Sequence, residues 1–140
     1  MTDQTSAAAR DEQKLYGVAP YLIVDDINAA AEFYRDQLGF QFNQIWGDPP
    51  QFVIVRRDGA SIMLKSIGST GHSRPNNSVH PDACWDAYIR VKDADAIYDE
   101  LRSRGVKIVR EIEDTYYNCR DFDVEDNSGY ILCFGQDLAS

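Results

Sequence analysis

The sequence predicts an α+β fold of two tandem βαβββ modules, whose curved mixed sheets form a cleft. Three observations predict it. First, one short pattern occurs twice. Val24-Asp25-Asp26-Ile27-Asn28-Ala29 leads through a helical stretch to Leu38-Gly39-Phe40, and Val91-Lys92-Asp93-Ala94-Asp95-Ala96 leads through another to Arg104-Gly105-Val106. Second, the offset is nearly constant: Asp26 and Asp93 lie 67 positions apart (93 − 26), Gly39 and Gly105 lie 66 apart (105 − 39), and the turn glycines Gly59 and Gly129 lie 70 apart (129 − 59). Self-similarity at a fixed offset means one supersecondary unit built twice. Third, a polar stretch poor in apolar residues separates the copies. At 140 residues the chain is one domain's length, and each half is too short to bury a comfortable core alone.

Residues 1–14 are polar and Ala-rich and are expected to form a loose tail. The first module is expected over 15–66. Its opening strand is the apolar run Val18 to Val24, ended by acidic turn residues. A helix follows, with Asp26 or Asn28 as cap and Ile27, Ala30, Ala31, Tyr34 and Leu38 on one apolar face. Gly39 ends it in the left-handed conformation. Three strands are expected near 40–46, 51–57 and 61–66, the last two joined through Arg57-Asp58-Gly59. Residues 67–82 hold Gly, Ser, Asn, Pro and both histidines, and read as a linker. The second module, 83–140, restarts with a strand at 85–91. Asp93 or Asp95 caps its helix, Gly105 stops it, and strands are expected near 107–111, 116–124 and 130–135.

The net charge of −9 and pI near 4.5 make nucleic acid a poor partner, because an acidic surface repels phosphate. No stretch approaches the roughly 20 apolar residues of a membrane span. Three cysteines, an odd number without an export signal, point to reduced thiols in the cytoplasm.

The motifs carry a resemblance. Phe33-Tyr34 followed by Leu38-Gly39-Phe40, and Arg120-Asp121-Phe122 followed by Asp126-Asn127-Ser128-Gly129, resemble segments of the vicinal oxygen chelate superfamily, which includes glyoxalase I, extradiol dioxygenases and bleomycin resistance proteins. The resemblance covers nearly the whole chain after the tail. It implies the glyoxalase/bleomycin resistance-like fold, a homodimer, and, in catalytic members, one divalent metal held by His, Gln or Glu on the first and last strands of each half. In this chain those four positions read Ala19, Met63, Asp86 and Cys133. Ala has no donor atom and Met is a poor ligand for a hard ion, so no metal and no cofactor are expected.

Strand alternation then lines the cleft. Tyr21 and Ile23 face it from the first strand, with Ser61, Met63 and Lys65 from the last strand of that half. Asp86, Tyr88 and Arg90 face it from the second half, with Ile131, Cys133 and Gly135. Tyr21, Met63, Asp86, Tyr88, Arg90 and Cys133 are the candidate ligand-binding residues, and no catalytic residue is assigned. For any one tyrosine, plain packing in a twisted sheet competes with a ligand role. Asp86 and Arg90 also read as a neutralising ion pair. Along 116–124, Tyr117, Cys119, Asp121 and Asp123 share one face while Asn118, Arg120, Phe122 and Val124 share the other. Which face meets the cleft stays open. Trp46 and Trp85 are expected chiefly as packing residues, and His72 and His80 as solvated ones.

Loss of the metal set removes the Lewis acid that the catalytic relatives use. The resemblance therefore points to a metal-free binder of the bleomycin resistance type, sequestering a small amphipathic molecule such as an antibiotic or natural product. The alternatives are a metal-dependent lyase, isomerase or dioxygenase, and an interaction module with a vestigial groove.

Overall fold

The computed structural model describes residues 13–68 and 71–139; most of the expected N-terminal tail lies outside that range. The element order is β1 (Tyr21–Val24), α1 (Ile27–Asp36), β2 (Ile45–Trp46), β3 (Phe52–Arg57), β4 (Ala60–Ser66), α2 (Asn76–Val79), β5 (Ala87–Arg90), α3 (Ala94–Ser103), β6 (Ile108–Asp114), β7 (Cys119–Glu125) and β8 (Ile131–Asp137). Two four-stranded mixed sheets result, ordered β1-β4-β3-β2 and β5-β8-β7-β6. In each, the first and last strands pair in parallel and the rest antiparallel. The repeat in sequence is thus a repeat in topology. Among the described residues, no helix is long and apolar enough to cross a membrane.

The caps fall where the repeat puts them. Asp26 accepts from the Ala29 backbone N–H at 3.1 Å, and Asp93 accepts from that of Ala96 at 3.1 Å. Gly39 and Gly105 close their helices at φ of 76° and 82°. The strand expected over 40–46 shortens to Ile45–Trp46. Gln41 still bridges Arg56, and Ile45 pairs with Val53, so four steps along one chain oppose three along the other. That extra residue is a bulge, and it breaks the strand. The expected linker also holds the short helix α2.

One face of each sheet packs on its helix. Leu22, Val24, Val53, Val55, Ile62 and Leu64 cover α1, while Phe122, Val124, Leu132 and Phe134 cover α3, all in one continuous core. Strands buried on one face alternate in this way. Cross-links join the two halves. Arg57 donates to both carboxylate oxygens of Glu100 on α3 at 2.9 and 2.7 Å. The buried Tyr34 hydroxyl donates to Asp126 Oδ2 at 2.6 Å, and the Tyr130 hydroxyl donates to the Ile23 carbonyl.

Candidate functional site

Each sheet has an outer face turned away from its helix, and the alternation of the strands decides what stands there. On the first sheet, Tyr21 pairs with Met63, Ile54 with Met63 and Phe52 with Lys65, so these side chains share the outer face. Tyr21 lies 56 % exposed, its ring centroid 6.4 Å from that of Phe52, and Trp46 stands 5.8 Å beyond. The three rings form an aromatic strip open to solvent. Trp46, expected as a packing residue, belongs to this strip rather than to the core.

On the second sheet, Phe122 and Val124 fill the core, so Asp121 and Asp123 take the outer face. Asp123 pairs with Cys133, which pairs with Tyr88. The side chains close into one network. Asp121, with no exposed surface, accepts from the Tyr88 hydroxyl at 2.9 Å, the Tyr117 hydroxyl at 2.7 Å and Arg110 Nη2 at 2.5 Å. Arg110 also grips Asp123 with Nε at 2.9 Å and Nη2 at 3.1 Å, and reaches Glu113 with Nη1 at 2.7 Å. Trp85 borders the network, 5.0 Å from the Tyr88 ring and 6.2 Å from that of Tyr117. Its indole N–H is buried and has no hydrogen-bond partner among the described residues.

The network shifts Asp121, Tyr88, Tyr117 and Cys133 further into their ordinary charge states. Burial alone would raise the Asp121 carboxyl, but hydrogen bonds from Tyr117, Arg110 and Tyr88 outweigh it and hold it below the usual 3.8. Burial, with Cys119 and Asp121 adding, pushes the Tyr88 phenol well above 10.0. Burial and then Asp121 raise the Tyr117 phenol as well. Burial and then Asp123 push the Cys133 thiol far up, although Arg110 Nη2 lies 3.8 Å from its sulfur. A thiol so held is no nucleophile at neutral pH. None of Asp121, Tyr88, Tyr117 and Cys133 is shifted toward neutrality, where a general acid or base works best.

The six sequence-derived site residues separate into three places. Tyr21 and Met63 share the first sheet's outer face, and Tyr88 and Cys133 the second's. Asp86 is spent on the fold: its Oδ1 accepts from the Asn76 backbone N–H at 2.7 Å and its Oδ2 from that of Ile131 at 2.8 Å. Arg90 is exposed and makes no ion pair with Asp86, which corrects the expectation that the two neutralise each other. Asp86, Tyr88 and Arg90 line a groove of about 1080 Å³ between the halves, walled by the β3–β4 hairpin, β5 and the first turn of α3. Tyr21, Met63 and Cys133 do not line it. His72 and His80 are exposed, as expected.

Arg110 is the residue that sequence reasoning did not place; Tyr117, Asp121 and Asp123 were placed on a shared face but not oriented. Phe122 and Val124, packed in the core, put the latter three on the opposite side. The donor set does not fit the divalent metal that the resemblance implies for catalytic relatives. Ala19 and Met63 supply no suitable atom, Asp86 already accepts two backbone N–H groups, and Cys133 neighbours a guanidinium.

Residues 17–134 match the profile of the Glyoxalase/Bleomycin resistance protein/Dioxygenase superfamily. No curated protein matches the chain. Among solved structures, a bleomycin-binding protein from bleomycin-producing Streptomyces verticillus, in complex with copper(II)-bleomycin, is similar at 26% identity and a TM-score of 0.64, covering 91% of this chain and 99% of that one. TnmS3, an antibiotic binding protein from Streptomyces sp. CB03234, is similar at 21% identity and a TM-score of 0.63, covering 90% and 99%. A glyoxylase/bleomycin resistance protein/dioxygenase domain from Frankia sp. EAN1pec reaches a TM-score of 0.70 at 18% identity, covering 91% and 96%. The last two share the fold.

Proposed function

Because the chain belongs to the Glyoxalase/Bleomycin resistance protein/Dioxygenase superfamily, we propose that it is a metal-independent small-molecule-binding protein that sequesters an antibiotic or another natural product unchanged. One observation carries this reading. The second sheet's outer face is a network in which Asp121 accepts three donors. Such a face can hold a ligand, with Asp121 already engaged by its three donors. The aromatic strip of Tyr21, Phe52 and Trp46 supplies stacking area. The acidic chain, at net charge −9, favours a cationic ligand by steering. The similar bleomycin-binding protein and TnmS3 support a ligand of the antibiotic kind.

Within one chain the six candidate residues do not converge. We propose that the working form is a homodimer in the cytoplasm, in which the outer face of one copy's first sheet completes a cleft with its partner's second. The free cysteines Cys84, Cys119 and Cys133 agree with a reducing compartment.

The test has two arms. Protein purified without chelator is analysed for Zn, Ni, Mn, Fe and Co, and a stoichiometric metal overturns the metal-independent reading. A thermal-shift screen against cationic glycopeptide and planar aromatic antibiotics follows, with mass spectrometry of the recovered ligand. Binding at 100 times Kd stabilises by about 2.7 kcal/mol, an easily read shift. A ligand recovered chemically altered overturns sequestration.

A further inference from the structure

We propose that the groove between the halves binds a phenolic ligand, its ring against Ile89, Val91 and Ile97 and its hydroxyl donating to the Arg90 carbonyl. The site goes beyond the sequestration reading above and stands independently of it.

The repeat locates the site. Tyr88 pairs with Cys133 as Tyr21 pairs with Met63, at offsets of 67 (88 − 21) and 70 (133 − 63), so the parallel strand pairs of the two sheets match residue for residue. By the same offsets Arg90 answers to Ile23, and Tyr130 answers to Ala60. Tyr130 and Ala60 each directly follow a hairpin glycine. In one half the buried Tyr130 reaches across from its hairpin, and its hydroxyl donates to the Ile23 carbonyl. In the other half Ala60 carries only a methyl group. Ala60 and Arg90 both line the groove of about 1080 Å³. The groove is therefore the counterpart of the space that the Tyr130 ring fills.

An acceptor and an apolar wall at this position fit a phenol. The Val91 N–H donates to the Gly135 carbonyl at 2.9 Å. In a planar trans peptide the N–H and the preceding C=O point opposite ways, so the Arg90 carbonyl turns toward the free edge of β5. The Ile23 carbonyl stands at the matching edge of β1. Among the described residues no hydrogen bond to the Arg90 carbonyl is made. The wall comes from the same strand. Leu22 and Val24 of the first half are buried, whereas their counterparts Ile89 and Val91 are only partly buried and line the groove with Ile97. A ring laid there completes their burial while its hydroxyl meets the acceptor, the two demands that a phenol satisfies at once. The volume is that of a whole ligand pocket, so it admits a fused-ring or biaryl phenol.

The test uses the full chain with 2-naphthol as probe and 2-methoxynaphthalene, which lacks the donor, as its control. Equilibrium dialysis is run on wild type and on two variants that close the groove. Ala60→Tyr gives the first hairpin the ring that the second already has. Ala96→Trp fills the groove from the exposed first turn of α3, so it stands in should Ala60→Tyr fail to fold. Wild type is expected to take up 2-naphthol stoichiometrically and to bind the ether about fivefold more weakly, the loss of one hydrogen bond. Each folded variant is expected to lose the uptake. No uptake by wild type, equal affinity for the ether, or undiminished uptake by the folded variants overturns the inference. Tyr16 is fully exposed, so Tyr16→Ala is dialysed as well. If 2-naphthol binds only to that variant, a phenol from a second copy fills the groove and the small-molecule inference falls.

Discussion

The ring of Tyr88 lies across Gly135, and only a glycine there lets it. A side-chain carbon at residue 135 would overlap the Tyr88 hydroxyl oxygen and its ring edge. Gly135 is itself the pairing partner of Asp121 on β7, so the open backbone is the passage by which Tyr88 reaches its acceptor. Gly135→Ala is expected to force the ring aside at a cost of about 1–3 kcal/mol. Tyr88→Phe keeps the ring and loses only the hydroxyl, costing about 1 kcal/mol. Urea unfolding of the two variants checks the order, and Gly135→Ala proving the milder change would refute the packing described.

Two carboxylates of the second half, Asp121 and Asp126, act on the acid limb of stability in opposite senses. Asp121 titrates below 3.8 in the folded chain, so its contribution is complete above that value and is lost as pH falls through its lower folded value. Asp126 is raised, first by burial, which outweighs the hydrogen bonds from Tyr34, Tyr130 and Ser128. Its folded form holds a proton more tightly than the unfolded chain does, so its share of stability fades as pH rises through the raised value. Asp121→Asn is therefore expected to flatten the loss of stability between pH 5 and pH 2, and Asp126→Asn to steepen it. Urea midpoints across that range, about 3 pH units, decide both signs.

The cysteines are expected to differ in reactivity. Cys84 is exposed, whereas Cys133 is buried with its thiol pushed up by burial and by Asp123. Iodoacetamide at pH 8 should alkylate Cys84 and spare Cys133 in the native chain, with peptide mass spectrometry as the readout. Rapid labelling of Cys133 would contradict the closed network.

Ligand binding should separate from folding on the first sheet. Tyr21 is mostly exposed, so Tyr21→Ala is expected to change stability by no more than about 0.5 kcal/mol. Loss of its ring from the aromatic strip should weaken a planar ligand by about 0.5–1.5 kcal/mol. On the other sheet, Tyr88→Ala is expected to weaken any groove ligand while leaving the oligomeric state unchanged. Calorimetry and light scattering test these; unchanged affinity in both variants would mean that neither outer face meets the ligand.

The architecture is legible in the sequence because it is written twice. Caps, stop glycines and hairpin turns recur at one offset, and the core faces of β1, β4 and β8 follow from alternation alone. The site is less so. Asp86 reads as a ligand or an ion-pair partner, yet one oxygen is claimed by Asn76, ten residues upstream on a helix that the linker's composition hides. Arg110 stays invisible because slips on both sides of it break the period by which a strand residue is assigned to a face. Asp121 and Asp123 take no face from the sequence, because a polar pair with Tyr and Cys, and an apolar pair with Asn and Arg, look equally mixed until one side is seen to touch a helix.

The bonds between the halves make them mutually dependent. Tyr34 in the first half is completed by Asp126 in the second, and Tyr130 in the second by the Ile23 carbonyl in the first. Cut at the linker, neither piece would retain a partner for its buried phenol. Two fragments split there should stay unstructured apart and recover the native circular dichroism only when mixed, so a chain that looks like a duplication now behaves as one indivisible folding unit.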